Sequence, residues 1–300
     1  MSQLNKVVIC GVGLIGGSFA LALKQAAAVG DASAACEIVG MGRSRATLDE
    51  ALRRGVIDRA GGDWADALAT ADLVLLATPV GQMEALMHQL APHLEPQTLV
   101  TDGGSTKQDV IAAARSALGS RVAQFVPGHP IAGAEKSGVA AAQADLYRGK
   151  RVILTPLPEN AATAVAAVRQ AWESCGAQVS QLAPEAHDRI FAAVSHLPHL
   201  LAFALVHDLA GRENADQLFS FAASGFRDFT RIASSHPEMW RDICIANRSA
   251  LIKELDAYQA ELLRTRVILA SADGAALEAM FGTARTSRDA WLESLPPTGE

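Results

Sequence analysis

Aromatic residues are scarce in this chain, at 5% of 300 residues. Large cores must therefore be closed by small and aliphatic side chains, alanine above all, a composition that suits closely packed helices. Cysteine is scarce too. Cys10, Cys36, Cys175 and Cys244 lie far apart and form no CxxC pair. That spacing excludes a disulfide framework and a structural zinc site, and it places free thiols in a reducing, cytoplasmic compartment. An excess of positive charge is also missing. Lys and Arg number 26 against 32 Asp and Glu, for a net charge of −6 with both signs interspersed. Nothing forms the basic stripe that a nucleic-acid partner needs. Only Val7–Leu23 approaches a long apolar run, and behind Lys6 it imitates a secretory leader. Four glycines within Gly11–Gly17 argue against a hydrophobic helix there. No other run is expected to reach the ~18 apolar residues that span a bilayer.

What is present is an alternation of short apolar runs with helix-like stretches. The runs are "KVVICG" (6–11), "EIVGMG" (37–42), "ADLVLLATP" (71–79), "QTLVTDGG" (97–104), "RVAQFVPG" (121–128), "RVILTP" (151–156) and "AQVSQL" (177–182). Strands apolar on both faces and separated by helices predict a parallel sheet with crossover connections. The fold class expected is an α/β Rossmann-type doubly wound domain over residues 1–183. After Pro184 the strand pattern stops, and an all-helical domain is expected over 184–300.

"GVGLIG" follows the first strand and opens the first helix. Gly11 permits a tight turn, Gly13 lets a pyrophosphate reach the backbone, and Gly16 lets helix and strand pack closely. The helix N-terminus, at Leu14 and Ile15, then faces the phosphates. NAD sites usually place an acidic residue at the end of the second strand. Here Gly42 stands in its place, followed by Arg43 and Ser44, which are able to hold a 2′-phosphate. NADP is therefore favoured over NAD, although Arg43 and Arg45 also suit a solvated helix start. Thr78 and Pro79 close the third strand, and Ser105 and Lys107 follow the fourth. Both are strand carboxyl ends, where open α/β sheets bind ligands. Ser105 also suits an N-cap of a helix from Thr106.

"PGHPIAGAEKSG" (127–138) places His129 beyond another strand end. Pro130 biases His129 towards extended backbone, and imidazole accepts a proton at neutral pH. "AAVSHLPHLLAFAL" (192–205) puts His196 and His199 three apart, with Pro198 unable to donate to the Val194 carbonyl. No third ligand is close, so no metal is expected. "SGFRDFTRIASSHPEMWRDI" (224–243) carries Arg227 and Arg231 on one helical face, suited either to a carboxylate ligand or to salt bridges with Asp228 or Asp242.

Three segments together, "GVGLIGGS", "GHPIAGAEKSG" and "SHLPHLLAFAL…SGFRDFTRIASSHPEMWRDI", resemble the prephenate/arogenate dehydrogenases of tyrosine biosynthesis, over about residues 6–245. The nearest resemblance is to the bacterial cyclohexadienyl dehydrogenases. The resemblance implies oxidative decarboxylation of a small cyclohexadienol substrate, with hydride passing to NAD(P). It implies that His129 is the catalytic acceptor or base for the 4-hydroxyl, and that Ser105 contacts that hydroxyl and orients the histidine. It further implies that Arg231 binds a substrate carboxylate, that His199 and His196 line the substrate pocket, and that Glu135 gates it. Trp240 is implied to approach a partner subunit's site, within a homodimer built by the helical domain. Ala134 departs from the threonine common in relatives, and Lys136 has no implied role. With no separate regulatory domain expected, inhibition by tyrosine would act at the active site itself.

Two rivals remain open on the sequence. A β-hydroxyacid dehydrogenase or imine reductase also joins an α/β domain to a helical one, and Lys107 would be the acid/base in the former. A non-catalytic NADP-sensing protein would need the glycine turn but no aimed histidine.

Overall fold

The computed structural model describes residues 4–29, 36–133 and 136–295. Its first strand, β1 (Lys6–Cys10), is wholly buried and leads through the glycine turn into α1 (Leu14–Val29). β2 (Glu37–Met41) follows, then α2 (Arg45–Arg53), β3 (Arg59–Ala60) and α3 (Trp64–Leu68). β4 (Leu73–Leu76), α4 (Met83–Leu90), β5 (Leu99–Asp102), α5 (Gln108–Leu118) and β6 (Phe125–Val126) complete the series. The six strands form one parallel sheet in the order β3-β2-β1-β4-β5-β6. That is the doubly wound order of dinucleotide-binding folds, with its switch point between β1 and β4. Alternate residues of β1 feed the two faces. Val7 and Ile9 join the core beneath α1, where Phe19 meets Trp172 edge-on at 4.6 Å. Val8 and Cys10 join the core beneath α4 and α5.

The strand series does not continue in that sheet. Residues 121–124 lie in a 3₁₀ turn (Gly119–Gln124), and only Phe125–Val126 joins the sheet. Pro127 has no N–H to extend the ladder, and the chain enters a second sheet of three strands. These are β7 (Gly128–Pro130), β8 (Arg151–Leu154) and β9 (Gln178–Gln181), with α6 (Ala162–Ser174) between the last two. β7 runs antiparallel to β8 and pairs His129 with Ile153, whereas β8 and β9 are parallel. His129 thus sits in a strand rather than a loop, as the extended bias of Pro130 requires. A short apolar run shows that a strand exists but not which sheet receives it, which is why the sequence pattern reads as one sheet.

The remainder is helical: α7 (Pro184–Phe191), a π-helical turn (Ala192–His196), α8 (Leu197–Ala210), α9 (Ala215–Ser220), α10 (Ser224–Thr230), α11 (Pro237–Ala246), α12 (Arg248–Ala270) and α13 (Gly274–Glu293). The π turn ends two residues before Pro198, whose missing N–H frees the Val194 carbonyl. The helix nevertheless runs on through Pro198. Pro184–Ala210 makes 27 residues long and apolar enough to cross a membrane by length and composition, contrary to the expectation from the sequence. His187, Asp188 and His196 along it are buried within the fold. Packing divides the chain into Met1–Ala250 and Leu251–Glu300, a different place from the change of pattern at 183/184. In the first unit Val194 and Phe221 are exposed apolar side chains, and in the second Leu263 and Val267 are.

Candidate active site

The glycine turn is shaped by what surrounds it. Gly11 has φ +97°, and a Cβ there would lie 2.7 Å from the Ala77 carbonyl oxygen. A Cβ on Gly16 would lie 2.3 Å from the Gly11 carbonyl oxygen and 2.6 Å from Ile9 Cγ2, so α1 packs hard against β1. Gly13 has nothing within 4 Å of its Cβ position. This open side is where a pyrophosphate would meet the backbone, before a helix with no acidic residue in its first turn. Leu14 and Ile15 are half-buried at that helix start. Thr78, at the end of β4 before Pro79, holds a buried Oγ1 without a hydrogen-bond partner. The cleft therefore fits a dinucleotide.

Directly after β2 stand Gly42, Arg43 and Ser44, none of them acidic. Glu37 lies at the strand's start, held by Arg59 at 2.9 Å. Arg43 and Ser44 are exposed. Ser44 Oγ caps α2 by accepting the Thr47 N–H at 3.2 Å, which leaves its own O–H as a donor. Arg45 pairs with Asp49 one helical turn on.

Ser105 lies in a bend, and α5 begins only at Gln108, so Ser105 is not the N-cap of that helix. Lys107, two residues on, is fully buried. Its Nζ pairs with Asp102 at the end of β5 and donates to the Gly128 carbonyl at 2.7 Å. Asp102 also accepts the backbone N–H groups of Gly104 at 2.8 Å and Gly128 at 2.9 Å. The buried pair thus clamps the end of the main sheet to the residue before His129.

His129 is itself buried, and its Nδ1 lies 2.8 Å from His187 Nε2. His187 Nδ1 in turn lies 2.8 Å from Asp188 Oδ1. Asp188 accepts the backbone N–H groups of Lys107 at 2.8 Å and Gln108 at 2.9 Å, and the Gln108 side-chain amide at 3.1 Å. Phe191 packs edge-on against the His129 ring, centroids 4.9 Å apart. Burial holds the His129 pKa well below the ordinary imidazole value, helped by His187, Lys107 and His196. Burial lowers His187 too, against the pull of Asp188. Burial opposes charge on Asp188, but His187 and the two backbone N–H groups outweigh it and keep its carboxyl below the usual range. His129 is therefore neutral at pH 7. The Ser105 hydroxyl makes no hydrogen bond to it among the described residues; the His129 ring contact is with His187.

The second wall comes from the helices. His199 stacks on Trp240 with centroids 3.7 Å apart and meets the Ser195 carbonyl at 2.9 Å. His196 stands edge-on to the same indole at 6.1 Å, and its Nδ1 is 3.1 Å from the Asn247 amide. That amide also donates to the Asp188 carbonyl at 2.8 Å. Burial pushes His196 down to about 4, partly opposed by Asp188. His199 is lowered by burial and further by the nearby charge of Arg231. Trp240 Nε1 is a buried polar atom without a hydrogen-bond partner among the described residues. Trp240 thus packs on histidines of its own chain. Arg231 begins a 3₁₀ turn (Arg231–Ser234) after α10. Glu135 and Ala134 lie outside the described residues.

With this geometry in view, residues 20–181 match the prephenate dehydrogenase nucleotide-binding domain, and residues 183–283 match the prephenate dehydrogenase dimerization domain. The chain belongs to the prephenate dehydrogenase family. The match to the first domain begins beyond the glycine turn, whose assignment rests on the contacts above. The prephenate dehydrogenase of Bacillus subtilis is 39% identical over 292 residues, covering 96% of this chain and 77% of the relative. The cyclohexadienyl dehydrogenase of Zymomonas mobilis is 35% identical over 293 residues, 96% of each. The crystal structure of prephenate dehydrogenase from Aquifex aeolicus, in complex with hydroxyphenyl propionate and NAD+, superposes with a TM-score of 0.86 at 35% identity, covering 96% of this chain and 99% of that one.

Sequence reasoning brought His129, His196, His199, Arg231 and Trp240 into view, but it missed His187, Asp188 and Asn247. The available signal was the adjacent His-Asp pair in "EAHDRIF" at the start of a helix. Nothing in linear spacing tells that this pair faces residue 129.

Proposed function

We propose that this member of the prephenate dehydrogenase family oxidatively decarboxylates prephenate, arogenate or both in tyrosine biosynthesis, with NADP favoured as hydride acceptor. One observation carries the reading. A Cβ on Gly103 would lie 3.1 Å from Ile15 Cγ2 and 3.7 Å from Pro130 Cδ. The glycine turn and the His129 segment therefore converge on one point at the sheet's carboxyl edge, where a hydride acceptor and a base have to meet. A nicotinamide bound there supplies a two-electron hydride sink. His129 accepts the hydrogen bond of the C4 hydroxyl and holds its proton as hydride leaves C4. Loss of CO2 from C1 returns an electron pair to the ring, and the proton goes back to oxygen as the phenol forms. Arg231 anchors a substrate carboxylate, while His199, His196 and Trp240 wall the ring. Ser105 contacts the substrate hydroxyl.

The rival lysine mechanism loses support, because Lys107 is buried and committed to Asp102 and Gly128. The proposed division of labour is nucleotide binding in residues 1–183, and substrate binding with homodimerisation in 184–300, where apolar side chains such as Phe221 stand exposed. The four free cysteines suit a cytoplasmic enzyme. The test is to incubate the protein with prephenate or arogenate and with NADP or NAD, and to follow reduced-nicotinamide absorbance. Turnover in at least one of the four combinations is expected, and silence in all four sinks the reading.

A further inference from the structure

We propose that His187 and Asp188 act as positioning residues that fix the tautomer of His129, so that its Nε2 carries the lone pair that meets the substrate hydroxyl. This rests on the reaction proposed above, although the hydrogen-bond chain is independent of it.

The chain can be read only one way once its anchored end is known. Both oxygens of Asp188 are occupied by donors: Lys107 N on Oδ1, and Gln108 N and Nε2 on Oδ2. Two backbone N–H groups aimed at one carboxylate keep it ionised, and an ionised carboxylate can only accept. His187 Nδ1, 2.8 Å away, must therefore carry the proton. The neutral His187 ring then presents a lone pair at Nε2, 2.8 Å from His129 Nδ1, which must carry a proton in its turn. His129 is left with its lone pair at Nε2. Without His187 the ring could donate from Nε2 or rotate, and either would remove the base from the reacting oxygen.

Other elements packed on the pair reinforce this. Lys107, on the β5–α5 connection, disfavours a second proton on either ring, while its partner Asp102 offsets part of that field at His187. His196 acts in the same sense as Lys107 on His129. Phe191 packs against both rings, at 4.9 Å from His129 and 4.5 Å from His187, and limits their rotation. When Nε2 of His129 takes the hydroxyl proton, Nδ1–H stays bonded to His187, and the new positive charge is held through that ring against Asp188. No further proton has to move. The same logic makes the carboxylate of a serine-protease triad a tautomer anchor rather than a proton acceptor.

The decisive measurement is long-range proton–nitrogen NMR of the full-length 15N-labelled protein near neutral pH, with the two histidines assigned by loss of signal in His187→Gln and His129→Gln. Both rings should be protonated at Nδ1 and bare at Nε2; a His129 protonated at Nε2 overturns the proposal. The kinetic arm compares His187→Leu, which removes the acceptor, with His187→Gln, whose Oε1 can still accept from His129 Nδ1–H. The Leu variant should lose about 10²-fold in kcat, the Gln variant should recover most of it, and KM and cofactor affinity should stay within about threefold of wild type. An unchanged kcat in folded His187→Leu also overturns it. If that variant does not fold, the wild-type tautomers still decide. An Nδ1–H tautomer in a protein that turns over neither substrate leaves the relay standing and refutes only the proposed reaction.

Discussion

Lys107 reaches from the start of α5 to the carbonyl of Gly128, 2.7 Å away, while ion-paired with Asp102. Both ions are fully buried. Removing one partner of such a pair leaves an uncompensated charge in the interior. Lys107→Met should destabilise the protein by roughly 3–5 kcal/mol in urea unfolding, and should also lower turnover by loosening Gly128. A variant within about 1 kcal/mol of wild type contradicts this reading of the clamp.

His129→Asn removes the proposed base and keeps a polar side chain of similar reach. It should lower kcat by about 10²–10⁴-fold with cofactor binding retained, as stopped-flow and fluorescence titration would show. In the wild-type enzyme, burial holds His129 below the ordinary imidazole range. The acid limb of kcat/KM should therefore lie below about pH 6.5, with a plateau above it. A limb centred above pH 7 would assign the base to another group.

Acid should also weaken the fold. His129, His187, His196 and His199 all have native pKa values lowered by burial, His196 to about 4. Between those values and the unfolded value of about 6.5, the unfolded chain binds more protons, so stability falls as pH falls. Asp188, held low in the native state, adds a further loss once pH drops below its unfolded value of about 3.9. The melting temperature should be level near pH 7–8 and fall steadily from about pH 6.5 towards pH 4.

The glycine turn separates packing from ligand binding. Gly16→Ala drives a methyl to 2.3 Å from the Gly11 carbonyl oxygen, whereas Gly13→Ala meets no protein atom within 4 Å. Gly16→Ala should lower the melting temperature. Gly13→Ala should melt normally yet bind the nicotinamide cofactor at least about tenfold more weakly by titration calorimetry.

Arg43 tests cofactor choice. It is exposed at the end of β2, where no carboxylate stands. Arg43→Ala should raise KM for NADP by about tenfold and leave KM for NAD nearly unchanged. Equal effects on both cofactors argue that Arg43 only solvates the start of α2.

The parallel sheet was legible because Val7–Cys10 and Leu73–Leu76 are apolar on both faces, a pattern few other structures produce. His129 was legible as a candidate because a proline follows it at a strand end. Its seat in a second sheet was not, since pairing partners such as Ile153 lie beyond the reach of local pattern. The His129–His187 contact was hidden for a related reason. It spans 58 residues and depends on how α7 docks beside α5. Lys107 carried the opposite lesson: at a strand's carboxyl end it read as a candidate acid/base, and only the fold shows it sealed inside against Asp102. The disturbance at the Val194 carbonyl was legible from Pro198, and the π turn lies there, but that the helix runs on from Pro184 to Ala210 was not.

The placement of His129 in the β7–β8 ladder bears on the entropy of the reaction. Fixing one residue's backbone costs about 1–2 kcal/mol at room temperature. A base on a mobile loop meets that cost each time a substrate binds. Here the ladder partner Ile153 orders the backbone when the chain folds, and the ring is ordered by His187 and Phe191. A substrate would therefore find the proposed acceptor already immobilised, and its binding energy would remain available for orienting the ring and expelling CO2.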